Sequence, residues 1–182
     1  MATRLKRKLG YEDYARLPSG DGKRYEVLDG ELYVTPAPSP LHQRLSKRLQ
    51  RRLEDYFEVR GLGEVFNAPI DLILAPHDIV EPDLVLVAEP AQVSQRGIEG
   101  VPLLVVEVLS PSTRAQDRGI KLRRYGDLGI PHYWIVDPDA QTIECRALEG
   151  GGYRRVVEAS VPDVLRHPAW PDLSIDLAAL WR

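Results

Sequence analysis

The sequence predicts an α/β fold: a mixed central β-sheet flanked by helices, with additional antiparallel strands toward the C-terminus. Three observations predict it. Residues 41–57 carry large apolar side chains at fourfold spacing, the mark of one buried helical stripe. Residues 82–89 and 102–110 are nearly continuous aliphatic runs, as strands covered on both faces are. A helical pattern over 112–130 then leads into another strand pattern, and strand, helix, strand in that order implies a crossover between neighbours of one sheet.

The elements follow in order. Residues 1–9 are basic and predict a frayed end; "GYEDYARLP" predicts a short helix stopped at Pro18. "RYEVLDGELYV" predicts two strands around Asp29-Gly30, because both positions of a tight hairpin turn need positive φ. Ser39 can cap the next helix with Pro40 at its first position. Leu41, Leu45, Leu49, Leu53 and Phe57 form its apolar stripe, and "RGLG" ends it. "GEVFN", "PIDLILAP", "PDLVLVAE" and "PLLVVEVLS" are strand candidates, with residues 90–101 a polar loop before the last. Residues 112–130 predict a helix capped at Ser112 or Thr113, with Gly119 a weak point and Ile120, Leu122, Tyr125 and Leu128 on its buried face. "PHYWIVDP" is a strand, "QTIECRAL" and "GYRRVVEAS" a meander, and "WPDLSIDLAALW" ends in a short helix.

The 182 residues are read as one domain, with a core over about 24–138 and a C-terminal meander and helix over 139–182. That length buries a core without disulfide or metal staples. With 43% hydrophobic and 28% charged residues the chain sits in the globular regime. A formal net charge of −3 excludes a global basic field, so contact with nucleic acid needs local patches. The single cysteine, Cys145, excludes an internal disulfide, suits a reducing cytoplasm, and reads as inert packing in a strand. No run reaches the length of a transmembrane helix, and the basic start lacks the apolar core of a secretion signal. The expected location is cytoplasmic, with no membrane partner.

The chemistry starts at "LLVVEVLSPST". Strand alternation puts Val105, Glu107 and Leu109 on one face, so Glu107 is a single carboxylate on an apolar face. Ionised and unpaired there it would cost several kcal/mol. It must take a proton, pair with a cation such as a nearby arginine at the strand end, or face a site. Asp83 opens the other aliphatic run; after Pro82 it is either a turn cap or a second site carboxylate. Two carboxylates converging at one place repel unless a proton or metal lies between them. Magnesium takes one or two carboxylates, keeps waters, and activates phosphoryl chemistry. Lys121, on the following helix, is either a solvated lysine or a stabiliser of charge on a reacting phosphate. Glu26 lies on the strand face opposite Tyr25 and Val27 and can turn, with Glu31, into the site or into water. His42, at a helix start, is a surface histidine or a contact to phosphate.

Together "RYEVLDGEL", "SPLHQRL", "EPDLVLV", "LVVEVLSPST", Lys121 with Tyr125, and "GIPHYWIVDP" resemble the PD-(D/E)XK nuclease superfamily, and within it the Uma family of bacterial restriction-endonuclease-like proteins, a domain family of unknown function. The resemblance spans residues 24–138. It implies a restriction-endonuclease-like fold and hydrolysis of DNA phosphodiesters with magnesium, or manganese in its place. It makes Asp83 and Glu107 the metal ligands, Lys121 the transition-state stabiliser and Glu26 a neighbour of the metal. The superfamily lysine two residues after the glutamate is Leu109 here, so its role would move to Lys121. A non-catalytic nucleic-acid-binding or assembly domain is the alternative, and hydrolysis of another phosphate ester a third reading. For the DNA backbone the cluster containing Arg114, Arg118 and Arg124 beside the site is favoured over the basic helix face of Arg44, Lys47, Arg48, Arg51 and Arg52. By analogy with restriction-like folds the chain is expected to form a homodimer.

Overall fold

The computed structural model describes residues 7–182. Its central sheet is mixed and has six strands: β12 (Gly152–Ser160), β11 (Thr142–Glu149), β10 (His132–Asp137), β9 (Leu104–Val108), β6 (Leu84–Val87) and β3 (Glu64–Asn67), in that spatial order. Only β9 and β10 run parallel. The chain between them is helical, as a parallel connection requires. A second six-stranded sheet is ordered β2 (Glu31–Pro36), β1 (Lys23–Leu28), β5 (Asp78–Val80), β4 (Leu72–Ala75), β8 (Gly97–Glu99) and β7 (Val93–Ser94). A hairpin of β13 (Val164–His167) and β14 (Trp170–Asp176) completes the strands.

The helices are α1 (Tyr11–Tyr14), α2 (Pro40–Phe57), one turn α3 (Arg114–Gln116), a π-helical turn (Asp117–Lys121), α4 (Leu122–Asp127) and α5 (Leu177–Trp181). Alternation divides the core. Leu104, Val106 and Val108 of β9 face a cluster built with Leu45, Leu49, Leu53 and Phe57 of α2 and with the β13–β14 hairpin. Val105 and Leu109 face a second cluster containing Leu28, Leu72, Val80, Tyr125 and Tyr133. Each fully buried Leu, Val or Phe contributes about 1.5–3 kcal/mol against exposure. Cys145 lies fully buried in the first cluster.

Several expectations hold in detail. The β1–β2 turn has Asp29 at φ 50° and Gly30 at φ 80°, the geometry a two-residue hairpin loop asks of its residues. Ser39 caps α2: its hydroxyl accepts from the His42 amide at 3.2 Å. Others are corrected. Leu41 is exposed, because it precedes the turn at which α2 meets the sheet. The region 90–101 contains the β7–β8 hairpin rather than a plain loop. Strands β5 and β13 are additional to the reading, and "WPDLSID" is strand β14 before the expected terminal helix. The helix after β9 is interrupted by the π-helical turn, which contains Gly119. Of the frayed start, residues 1–6 lie outside the described residues, while Arg7 pairs with Asp13, Lys8 with Asp29, and the Leu9 amide with the Gly30 carbonyl. Among the described residues no helix is long and apolar enough to cross a membrane.

Candidate active site

Asp83 and Glu107 come from neighbouring antiparallel strands. The β6–β9 register pairs Leu84 with Val106, so the next step brings Asp83 level with Glu107. Where the ladder stops, Asp83 Oδ2 takes its place and accepts the Val108 amide at 2.8 Å. Both side chains are buried, and the Asp83 charge is one of those acting on Glu107.

Glu107 has the apolar face that its position predicts. Burial pushes its carboxyl well above the usual glutamate range, with Lys121 opposing the rise. Its Oε1 accepts from Lys121 Nζ at 2.9 Å and from the Tyr125 hydroxyl at 3.1 Å. The lysine arrives on the π-helical turn, a rare geometry that recurs at functional sites. Asp117, Lys121 and Tyr125, spaced by four, turn the fully buried side of this segment polar, while Ile120, Leu122 and Leu128 are only partly buried against the second cluster. Burial alone would lower the lysine. Glu107, Glu26 and Asp117 outweigh it and push the ammonium well above its ordinary value, so it stays charged. It donates to Glu26 Oε1 at 2.8 Å and to Glu107 Oε1 at 2.9 Å, and Asp117 Oδ1 lies at 3.5 Å as an ion-pair neighbour without a hydrogen bond.

Glu26 turns inward from β1, whereas Glu31 is exposed. Its Oε1 also accepts the Glu81 amide at 3.0 Å, and its Oε2 accepts from Gln116 Nε2 at 3.2 Å. On the other side, Asp83 Oδ1 accepts from Arg24 Nη1 at 3.0 Å, and Oδ2 faces His42 Nε2 at 2.8 Å. Burial lowers the His42 pKa; Asp83 works against this and Arg24 adds to it. The imidazole is therefore neutral at pH 7, and a carboxylate only accepts, so Nε2 carries the proton and donates to Asp83. Two clefts of about 390 Å³ each open beside Arg24 and His42, one of them lined also by Asp83, Gln43, Ser46 and Lys47.

The structure thus brings together five of the residues singled out from sequence: Asp83, Glu107, Lys121, Glu26 and His42. The arginines Arg114, Arg118 and Arg124 lie apart and are paired. Arg114 grips Asp137 at 2.5 and 2.9 Å and Asp139 at 3.0 Å. Arg118 bonds Glu144 at 2.8 Å, and Arg124 holds Asp78 at 2.6 and 2.7 Å. Two site residues escaped the sequence reading of the chemistry. Arg24 precedes Glu26 by two and shares its strand face; Asp117 precedes Lys121 by four. Both spacings were visible.

The donors suit a hard divalent ion. Four carboxyl groups (Asp83, Glu107, Glu26, Asp117) surround two permanent cations (Arg24, Lys121), and burial pushes Glu107 and Asp117 up from their ordinary range. Among the described residues no three His, Cys, Asp or Glu side chains form a ready-made cage. That is compatible with magnesium, which takes one or two carboxylates and fills its shell with water.

The sequence model of the Uma2 family, described as "Putative restriction endonuclease", matches residues 11–178. The chain belongs to the Uma2 family. This Uma2 chain is 32% identical over 119 residues to an uncharacterized protein, slr1290, of Synechocystis sp. (strain ATCC 27184 / PCC 6803 / Kazusa). That match covers 65% of the Uma2 chain and 62% of the relative's length. Among solved structures, a putative nuclease belonging to DUF820 from Anabaena variabilis ATCC 29413 superposes with a TM-score of 0.70 at 16% identity, covering 95% of this chain and 97% of that one. The superposition bears out the nuclease-like mixed α/β fold for this Uma2 chain.

Proposed function

We propose that the protein is a metal-dependent DNA endonuclease that hydrolyses phosphodiester bonds at the Asp83–Glu107 end of the central sheet. One observation carries the reading: two carboxylates, level on adjacent strands, with a charged lysine fully buried beside them. Family membership supports the reaction class. Asp83 and Glu107 would hold magnesium or manganese. When bound, the ion would polarise a phosphoryl oxygen and make a water more acidic.

The remaining work belongs to the chain itself. Tyr125 and Lys121 fix one oxygen of Glu107; Arg24, His42 and the Val108 amide fix both oxygens of Asp83. Glu26 and Asp117 hold Lys121 charged and in place. Its ammonium supplies positive charge where a phosphate gains negative charge as the water oxygen bonds to phosphorus and the sugar oxygen leaves. Donors already in position need no reorganisation during the reaction.

A specific observation favours a second reading, a nucleic-acid-binding domain without catalysis. Each of the two carboxylates already has an internal cation, Arg24 for Asp83 and Lys121 for Glu107. Supercoiled plasmid incubated with magnesium or manganese separates the two. The nuclease reading expects nicking by the wild type and loss of at least about a hundredfold in Asp83→Ala and in Glu107→Ala, the scale of removing a principal electrostatic group. Nicking that survives both substitutions, or none with either metal, sinks it.

A further inference from the structure

The cleft that Asp83 lines with Arg24 and His42 leaves open what grips the rest of a long polyanion. Helix α2 begins at this site with His42 and runs away from it for 18 residues. Its inner stripe is Leu45, Leu49, Leu53 and Phe57; its outer side exposes Arg44, Lys47, Arg51 and Arg52. Arg44, Lys47 and Arg51 follow one another at spacings of three and four, so they make one ridge, with Arg52 beside its end. Among the described residues, none of these four has a hydrogen-bond or ion-pair partner. The arginines after β9 differ, apart from the exposed Arg123. Arg114, Arg118 and Arg124 are neutralised by Asp137, Asp139, Glu144 and Asp78. Arg48, on the same helix, is consumed by the carbonyls of Leu180 and Arg182 that end α5. Glu54 is taken by Gln50 at 2.7 Å, and the exposed acid Asp55 stands at the end of the ridge remote from His42.

We propose that this ridge of α2 is the track for the phosphate backbone of duplex DNA, with Lys47 leading the strand into the Asp83 cleft. The inference rests on the nuclease reading for the direction of the strand, and on geometry for the rest. At about 1.5 Å per residue, Arg44 to Arg52 covers about 12 Å. One DNA strand presents a charge about every 3.4 Å of axis, so the ridge matches three to four consecutive phosphates. Lys47 lines the same cleft as Asp83, Arg24 and His42, so the ridge leads directly to the Asp83 end of the site. In a chain of net charge −3, four unpaired cations on one helix face are the local patch that a polyanion requires.

The test is binding without chemistry. The full chain is titrated against a fluorescein-labelled duplex in EDTA, by anisotropy, across a salt series. Each phosphate contact contributes about 0.9 to the slope of log affinity against log salt. Combined Arg44→Ala, Lys47→Ala, Arg51→Ala and Arg52→Ala should lower the slope by about 3 to 4 and weaken binding more than tenfold at low salt. Arg114→Ala with Arg118→Ala should leave the slope unchanged. The thermal midpoint of the fourfold variant should match the wild type, since the four side chains hold nothing within the fold. An unchanged slope in the fourfold variant, a slope that falls with Arg114 and Arg118 instead, absence of duplex binding by the wild type, or displacement of the duplex by polyglutamate at equal charge would each overturn the proposal. Binding through α2 without plasmid nicking would instead sink the nuclease reading and leave the ridge standing. Nicking with an unchanged slope would do the reverse.

Discussion

Lys121 is the residue on which the buried charges depend. Three carboxylates share its ammonium, and each is expensive to bury alone. Lys121→Ala leaves them uncompensated and is expected to cost about 3–5 kcal/mol, the range for removing one partner of a buried ion pair. Glu107→Gln differs. The lysine keeps Glu26 and Asp117, the amide carbonyl can still accept from Lys121 and Tyr125, and a carboxyl that burial already pushes upward is relieved of its charge. That variant should lose nicking activity while its urea midpoint stays within about 1 kcal/mol of wild type or rises. Marked unfolding of Glu107→Gln, or an intact Lys121→Ala, would show that the charges are balanced differently.

At the scale of elements, α2 links the fold to the site. Its first turn presents His42 to Asp83, and Ser39 fixes that turn by accepting the His42 amide. Ser39→Ala should lower stability by about 1 kcal/mol and Ser39→Gly by only a few tenths, read from denaturant midpoints. Equal losses would mean that the cap hydrogen bond contributes nothing. The caps and turns were legible in the sequence because each is decided by residues within a few positions: Ser39-Pro40, Asp29-Gly30, and the fourfold leucine stripe. The strands β6 and β9 were legible for the opposite reason, since full burial on both faces removes alternation and leaves an aliphatic run. What escaped depends on distant partners. Strand β5 has three residues, too few for a period, and exists because β1 and β4 flank it. The π-helical turn carries Lys121, whose partner Glu26 lies 95 positions away, and no local pattern encodes that contact. Arg24 and Asp117 had readable spacings, but their meaning appears only once Asp83 and Lys121 stand beside them. The preference for the arginines after β9 as phosphate contacts ran ahead of their acidic partners for the same reason: Asp137 and Asp78 lie on other strands.

For the whole molecule, acid is the revealing stress. His167 is buried between Trp134 and Trp170, its ring centroid 5.4 Å from the first and 4.4 Å from the second, with His132 at 5.3 Å. Its Nδ1 accepts the Ala169 amide, and its Nε2 is buried without a partner. Burial, with some help from His132, lowers its pKa to about 4. An unfolded histidine titrates near 6.5. Between those values the unfolded chain binds the proton and the folded chain does not, so stability is full above about pH 6.5 and declines as pH falls toward 4. His132 and His42, also lowered by burial, add to the same decline. Asp137, held down to about 2 chiefly by Arg114, adds to the same loss further into acid, as pH falls from the ordinary carboxylate range toward 2. His167→Phe should reduce the slope of unfolding free energy against pH between 4 and 6.5 by close to one proton; an unchanged slope would show that His167 is protonated in the fold. The lone thiol offers a clock for such comparisons. Cys145 is fully covered on β11, where burial suppresses the reactive thiolate. A thiol-modifying dye reaches it only when the layers separate, so its labelling rate times those openings at one known position, with no second sulfhydryl to blur the signal.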